Sequence, residues 1–187
     1  MEKENRRAKM TKMLLNESFL KFLAEKSLPR ITVKEICEEA DVNRSTYYTY
    51  YTDPYDQLRK LEAELMVNMA IYINGIMHEN PKDSHHFHQN LKGMLDYIYS
   101  KKHIFQVLLN KNGDANMQTN MILFSAEQIF QINLQETPMN MELEKLQKYI
   151  FVSTGSYGII YHWLMKGTLE STEDLAKKIT SFTENFR

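Results

Sequence analysis

The sequence contains one cysteine, few glycines and prolines, and no long apolar run. Because Cys37 is alone among 187 residues, an internal disulfide bond and a zinc site built from several cysteines are excluded. With 6 Gly and 4 Pro, the chain is short of the turn residues that a many-stranded sandwich or barrel needs. No segment reaches the roughly 18 apolar residues of a membrane-spanning helix, and no signal-peptide core follows residues 1–10. We therefore expect a helical, cytoplasmic protein with no membrane partner.

The composition is that of a folded chain with an uneven distribution of charge. Hydrophobic residues make up 43% and aromatic residues 11%, which is enough for a packed core in one domain or two small ones. The net charge is −1, but residues 1–30 hold 8 basic and 4 acidic side chains, whereas residues 61–187 hold 11 and 14. A basic first segment suits a nucleic-acid partner, and it equally suits a solvated helix face.

Apolar residues recur at three- and four-residue steps along most of the chain, which predicts an all-α fold. We find no internal repeat and no strand-like alternation in the sequence. The expected helices, about nine in all, span residues 5–27, 33–40, 45–51, 54–78, 84–110 with a break near 100–103, 115–135, 139–166 and 171–186.

The segment after the first helix carries start and turn signals at close spacing. Thr32 and Glu35 have the spacing of a capping box, Asp41 suits a left-handed turn, and Asp53 followed by Pro54 marks the start of a long helix. Two short helices joined by a tight turn can place the second helix in the DNA major groove. Its outer face carries donors and hydroxyls that reach phosphates and base edges: Arg44, Ser45, Thr46, Tyr48 and Thr49. The alternative is a surface helical hairpin with a tyrosine cluster.

Residues 31–51, ITVKEICEEADVNRSTYYTYY, resemble the helix-turn-helix of TetR/AcrR-type transcriptional regulators. That family's pattern is approximately T-x-x-x-I-A-x-x-A-G-V-S-x-x-T-x-Y-x-Y-F, and about twelve positions agree at the same spacing. Residues 5–60 match closely and the remainder matches in outline, with features of a Firmicutes-type subgroup similar to dihydroxyacetone-kinase regulators. The resemblance implies a three-helix DNA-binding domain over residues 1–53 and a helical effector-binding and dimerisation domain over residues 54–187.

The resemblance assigns roles to individual residues on double-stranded DNA with a two-fold operator. The implied contacts are Thr32 and Tyr48 to phosphates, Arg44, Ser45 and Thr46 to base edges, and Lys34, Thr49 and Tyr50 as further contacts. Three residues depart from the pattern, since Asp41 replaces the usual Gly, Cys37 replaces the usual Ala and Pro54 replaces a Lys that normally touches phosphate. We expect a basic arm formed by Arg6, Arg7 and Lys9 to offset the lost contact.

The resemblance also implies a homodimer through the last two helices and an effector site among the middle helices. The apolar residues expected at the dimer interface are Phe151, Tyr157, Ile160, Tyr161, Leu164, Leu175, Ile179 and Phe182. The residues expected to line the pocket are Met66, Met69, Ile73, Met94, Phe105, Met121 and Phe124. Ordinary core packing is the alternative for each set. The effector is either a small molecule, for which an apolar or amphipathic character is favoured, or a protein.

The remaining polar residues do not form a catalytic or metal-binding pattern. His85, His86 and His88 lack the spacing of a metal-ligand set, and no nucleophile or paired acid–base group is found, so we expect no metal, no cofactor and no enzymatic activity. The expected function is DNA-binding transcriptional regulation, with repression released or modulated by the effector. The alternative is a helical interaction protein of the same fold that has lost DNA binding and works through a protein partner.

Overall fold

Every regular element in the described part of the computed structural model is a helix. The structure describes residues 6–78, 84–110, 112, 117, 119–121 and 143–184, and these residues include no strand. The predicted all-α fold class is therefore confirmed. The elements are α1 (Arg6–Glu25), a 3-10 turn (Leu28–Arg30), α2 (Val33–Ala40), α3 (Arg44–Tyr47), α4 (Pro54–His78), α5 (Ser84–Ser100), α6 (Lys102–Leu108), α7 (Leu143–Met165) and α8 (Thr172–Thr183).

The chain divides into two units. The first contains the described residues up to Leu65 together with those within 107–115. The second contains the described residues within 66–106 and those after residue 115. The domain boundary expected after residue 53 remains a prediction.

Apolar side chains of α1, α2 and α3 form the core of the first unit. Leu15, Phe19 and Leu23 recur at four-residue steps on one side of α1, which packs on α2, and all three are fully buried. Ile36 of α2 and Tyr47 of α3 are also fully buried. Because burying an apolar side chain of this size contributes about 1.5–3 kcal/mol, this cluster fixes the two short helices on α1.

α3 is shorter than the helix predicted over residues 45–51. It begins after Asn43, whose side-chain oxygen accepts a 2.9 Å hydrogen bond from the backbone N–H of Ser45. It ends at Tyr47, and residues 48–50 form a turn. The segment is rich in aromatic residues and threonine, which have modest helix propensity, so the helical geometry is not maintained.

The second unit is built around the packing of α5 on α8. Leu95 of α5 and Leu175 of α8 are fully buried, and Ile179 is 1% exposed. Between α7 and α8, the indole N–H of Trp163 donates a 3.0 Å hydrogen bond to the backbone carbonyl of Glu170. This bond ties the end of α7 to the turn that leads into α8.

Other helix predictions are tested wherever they fall on described residues. The break expected near residues 100–103 is confirmed, since α5 ends at Ser100 and α6 begins at Lys102. The cap at Ser171 is confirmed by a 3.1 Å hydrogen bond that its hydroxyl accepts from the backbone N–H of Asp174. Most of the helix expected over residues 115–135 lies outside the described residues.

Candidate nucleic-acid interface

A hydrogen-bonded cap fixes the start of α2. The Thr32 hydroxyl accepts from the backbone N–H of Glu35 at 3.3 Å, and the Glu35 carboxylate accepts from the Thr32 N–H and hydroxyl at 3.0 and 2.8 Å. Its other oxygen accepts a 2.7 Å hydrogen bond from the Lys26 ammonium. These bonds, Lys26 foremost, lower the pKa of Glu35 to about 2. The predicted capping box is confirmed, and a phosphate at Thr32 has to share a hydroxyl that already has local partners.

The turn between α2 and α3 uses a left-handed residue, as predicted. Asp41 has φ 52° and ψ 46°, and its N–H and that of Val42 donate to carbonyls in the last turn of α2. Cys37 lies buried in that last turn, and burial raises the pKa of its thiol. The thiol is therefore protonated at neutral pH and serves as a small apolar side chain at the helix crossing.

The inner face of the recognition segment, which we define as residues 44–51, is bonded to two amide side chains. The Tyr47 hydroxyl donates to the side-chain oxygen of Gln57 at 3.1 Å, and the Tyr51 hydroxyl donates to that of Asn16 at 3.1 Å. The Gln57 amide group in turn donates to Asn16 and to the backbone carbonyl of Leu15, both at 3.0 Å. This network joins α1, the recognition segment and α4 through groups that are buried or partly buried.

The outer face of the recognition segment is exposed to solvent. Arg44, Ser45 and Thr49 are exposed, Tyr48 is 58% exposed, and Thr46 is half-buried. The Ser45 hydroxyl donates to Asn43 at 3.0 Å and the Thr49 hydroxyl to the carbonyl of Thr46. The predicted base-reading residues and Tyr48 therefore lie on one continuous segment and are accessible to a ligand, whereas Thr32 lies at the start of α2.

Two further predicted contacts are Lys34, which precedes this segment in the chain, and Tyr50, which lies within it. Lys34 is exposed on α2, with its ammonium 3.8 Å from Glu38, and Tyr50 is half-buried in the turn after α3. The backbone carbonyl of Tyr50 accepts a 2.8 Å hydrogen bond from Lys60 of α4. The sequence did not reveal this hydrogen bond between Lys60 and Tyr50, because it depends on how the turn packs against α4.

Comparison with known families decides the identity of the chain. Residues 85–185, more than half of the sequence, match a family model of the TetR type that describes a transcriptional regulator C-terminal region. The chain belongs to the TetR family of transcriptional regulators. The family resemblance deduced from residues 31–51 is thereby confirmed from a different part of the sequence.

A curated relative is also described as a transcriptional regulator. The helix-turn-helix-type transcriptional regulator YxbF of Bacillus subtilis strain 168 is 21% identical over 169 residues, which cover 88% of this chain and 42% of that protein. The chain thus spans about two fifths of the length of this curated relative.

Solved structures share the fold at low sequence identity. A TetR transcriptional regulator from Streptococcus agalactiae 2603V aligns with a TM-score of 0.62 and 19% identity over 95% of each chain. The dihydroxyacetone kinase operon activator DhaS aligns with a TM-score of 0.59 and 16% identity over 94% of each chain. The fatty acid degradation regulator FadR from Bacillus halodurans aligns at 0.57 and 18%, covering 97% of this chain and 96% of FadR.

The residues predicted to line an effector pocket lie in the second unit of this TetR-family chain, except Phe124, which is outside the described residues. Met69, Ile73 and Phe105 are buried, whereas Met66, Met94 and Met121 are half-buried. Phe105 meets the Tyr97 ring edge-on, with 6.4 Å between the ring centres. These contacts fit the core alternative for Phe105, and the pocket remains a prediction.

The residues predicted at the dimer interface divide into two groups. Leu164, Leu175 and Ile179 are at most 1% exposed within a single chain, so they are core residues and we exclude them from the interface. The sequence cannot make this distinction, because Leu175, Ile179 and Phe182 share one apolar stripe at helical spacing although only Phe182 is exposed. The residues that remain accessible, fully or in part, are Phe151, Tyr157, Ile160, Tyr161 and Phe182.

The histidines and the helices of the described regions give no sign of a metal site or a membrane span. Within those regions no three His, Cys, Asp or Glu side chains are grouped as metal ligands. His86 is exposed, and His88 lies 3.2 Å from Glu173. The side chain of His85 is outside the described set. No helix in the described ranges has both the length and the apolar character needed to cross a bilayer.

Proposed function

We propose that this regulator binds double-stranded DNA through α2 and the recognition segment, which reads base edges in the major groove. The observation that carries the proposal is the division of residues 44–51 into two faces. Tyr47 and Tyr51 are hydrogen-bonded inward, while Arg44 and Tyr48 are exposed outward. A fixed inner face and a donor-rich outer face are what a groove-reading helix needs.

Two copies are required for tight, specific binding. A single module of this size covers too little DNA, whereas a two-fold dimer reads two half-sites about 34 Å apart. The dimer surface that we propose combines the exposed rings of Phe151, Tyr161 and Phe182 with Gly155 and Gly158. A Cβ added at either glycine meets no atom within 4 Å, so a second helix could approach the α7 backbone closely there.

We also propose that an effector acts through the second unit. An effector that binds one conformation better than another shifts the dimer between DNA-binding and non-binding populations. The half-buried Met66, Met94 and Met121 support an apolar or amphipathic small molecule, since methionine adapts to irregular apolar ligands. A protein effector is the other form of the proposal. We expect repression in the absence of effector, although the structurally similar DhaS is described as an activator.

The second candidate function is that of a protein-binding module that has lost DNA binding. The observation that favours it is Pro54, which is buried at the start of α4 where the family pattern has a phosphate-contacting Lys. Such a module keeps the fold and uses its surface to hold a partner. The two candidates make opposite predictions for duplex binding.

Fluorescence anisotropy distinguishes the candidates. The purified chain is titrated into a labelled duplex from the DNA flanking its gene and into a shuffled duplex of equal length, at about 50 and 200 mM salt. DNA binding predicts at least about 10³-fold tighter binding to the flanking duplex and weaker binding at the higher salt. No binding to either duplex would contradict the proposal and favour the protein-binding module. A reporter fused to the flanking promoter then shows repression or activation by the sign of the change when the regulator is deleted.

A further inference from the structure

We propose that Lys12 of α1 is an additional DNA-phosphate contact, positioned by the ring of Tyr50. The inference rests on the proposed DNA-binding function. The Lys12 ammonium nitrogen lies 5.6 Å from the centre of the Tyr50 ring, within the range of a cation–π interaction. Tyr50 follows α3 closely in the chain, so this contact brings a cation of α1 to the end of the recognition segment.

The residue whose ring holds Lys12 is itself held by two further contacts. The Tyr50 carbonyl accepts the 2.8 Å hydrogen bond from Lys60, and the rings of Tyr50 and Tyr51 lie 6.3 Å apart. Tyr51 is in turn hydrogen-bonded to Asn16, one helical turn after Lys12 on α1. The lysine and the ring that supports it are therefore both anchored to α1, which reduces the entropy lost when the ammonium meets a phosphate.

The charges near the turn explain why a contact from α1 matters. Pro54 provides no cation, and the ammonium of Lys60 is 2.9 Å from the carboxylate of Asp56, which offsets its charge. The Tyr50 ring attracts the Lys12 ammonium through its aromatic face. Lys12 thus brings a positive charge to the edge of the recognition segment. Pro54, which replaces the family's lysine, does not supply one there.

The test is the salt dependence of binding to DNA of any sequence, because a phosphate contact is independent of base identity. Labelled duplexes of about 30 base pairs, long enough for two half-sites one turn apart, are titrated between about 50 and 200 mM salt. Because a dimer carries two copies of this residue, Lys12→Gln is expected to lower the slope of log K against log salt by about 1.8, which is about 0.9 for each lost phosphate contact, and to weaken binding roughly sixty-fold at about 0.1 M salt. Lys12→Arg keeps the charge and is expected to retain the parental slope.

A matched control removes the same charge from the other side of α1. Lys21 is nine residues from Lys12, which places it on the opposite face of the helix, and it pairs with Glu39 at 2.7 Å. Lys21→Gln is expected to leave the slope unchanged. Tyr50→Leu is expected to reduce the effect of Lys12→Gln in the double variant, because the ring no longer positions the ammonium.

The outcomes separate this inference from the proposed function. Parental binding with an unchanged slope in Lys12→Gln overturns the inference and leaves DNA binding intact. Equal losses of slope in Lys12→Gln and Lys21→Gln also overturn it, because they show a general charge effect. Failure of the parental chain to bind any duplex overturns the proposed function itself.

Discussion

The hydroxyl of Tyr47 donates a 3.1 Å hydrogen bond to the side-chain oxygen of Gln57, and both side chains are fully buried. Burial raises the pKa of Tyr47, so its hydroxyl keeps the proton that it donates. Since the Gln57 amide group also donates to Asn16 and to the Leu15 carbonyl, all its polar atoms have partners. One glutamine of α4 therefore links α3 to α1 through hydrogen bonds, in addition to the apolar packing between these helices.

Replacing this glutamine is expected to destabilise the first unit. Gln57→Leu leaves the Tyr47 hydroxyl and the Leu15 carbonyl without their partner and should lower the free energy of unfolding by about 2–4 kcal/mol in urea titrations. Tyr47→Phe removes one hydroxyl and should cost about 1–2 kcal/mol. Gln147→Leu, the same change at an exposed position of α7, should stay within about 0.5 kcal/mol. Parental stability in Gln57→Leu would show that the network is not needed.

The backbone at Asp41 predicts opposite effects of two substitutions. At φ 52°, a residue with a Cβ is strained, and glycine is not. Asp41→Gly is expected to raise the free energy of unfolding by about 0.5–1 kcal/mol, and Asp41→Val to lower it by about 1–2 kcal/mol. Thermal unfolding followed by circular dichroism measures both. A stabilising effect of valine would contradict the left-handed turn.

Because of the capping box at the start of α2, we expect the stability of the fold to decrease at acidic pH. Because the pKa of Glu35 is about 2 in the folded chain and its ordinary value is 4.5, the unfolded chain binds more protons between these values. The contribution of Glu35 to stability is therefore fully present above pH 4.5 and is lost as the pH falls towards 2. Glu35→Gln should make the melting temperature less dependent on pH in this window. Glu38→Gln, at an exposed carboxylate 3.8 Å from Lys34, should retain the parental profile.

Arg44 and Tyr48 are expected to affect DNA binding differently. Arg44→Ala removes a donor for base edges and should change the preferred sequence, with about 1–3 kcal/mol of discrimination lost. Tyr48→Phe removes a hydroxyl proposed for a phosphate and should weaken binding to all duplexes alike. Selection from a random duplex library, followed by affinity measurements, tests both. If Arg44→Ala kept both affinity and preference, the recognition helix would be assigned incorrectly.

A substitution on α7 tests the proposed dimer surface. Phe151 is 63% exposed, and Phe151→Asp should increase the dimer dissociation constant at least about ten-fold without loss of helix content. Val67 of α4 is similarly exposed, at 64%, and Val67→Asp serves as the matched control. Sedimentation equilibrium gives both constants. Equal effects of the two variants would contradict this interface, and a parental monomer would contradict the dimer itself.

Local signals in the sequence were sufficient for much of the DNA-binding segment. Thr32 with Glu35, and Ser171 with Asp174, are caps whose partners lie within three residues, so spacing alone identifies them. The left-handed turn at Asp41 is also a local property. The end of α3 was less predictable, because the tyrosine-rich segment follows tertiary hydrogen bonds rather than helical periodicity.

Partners distant in sequence were not predictable. Hydrophobic periodicity places Tyr55 on the buried side of α4, but Tyr55 is 47% exposed and Gln57 is fully buried. A scale of hydrophobicity cannot assign a glutamine to the core, since its burial depends on Tyr47 and on Asn16, 41 residues away. The cation–π contact of Lys12 escapes prediction for the same reason.

Cys37 offers a way to follow the helix-turn-helix unit separately from the rest of the molecule. It is the chain's one thiol, it is 4% exposed, and it lies where α2 turns towards α3. An alkylating reagent can reach it only when that unit opens, so the rate of labelling reports local opening. Native-state labelling with and without DNA would thus show whether DNA suppresses opening of the helix-turn-helix unit, and it needs no engineered cysteine.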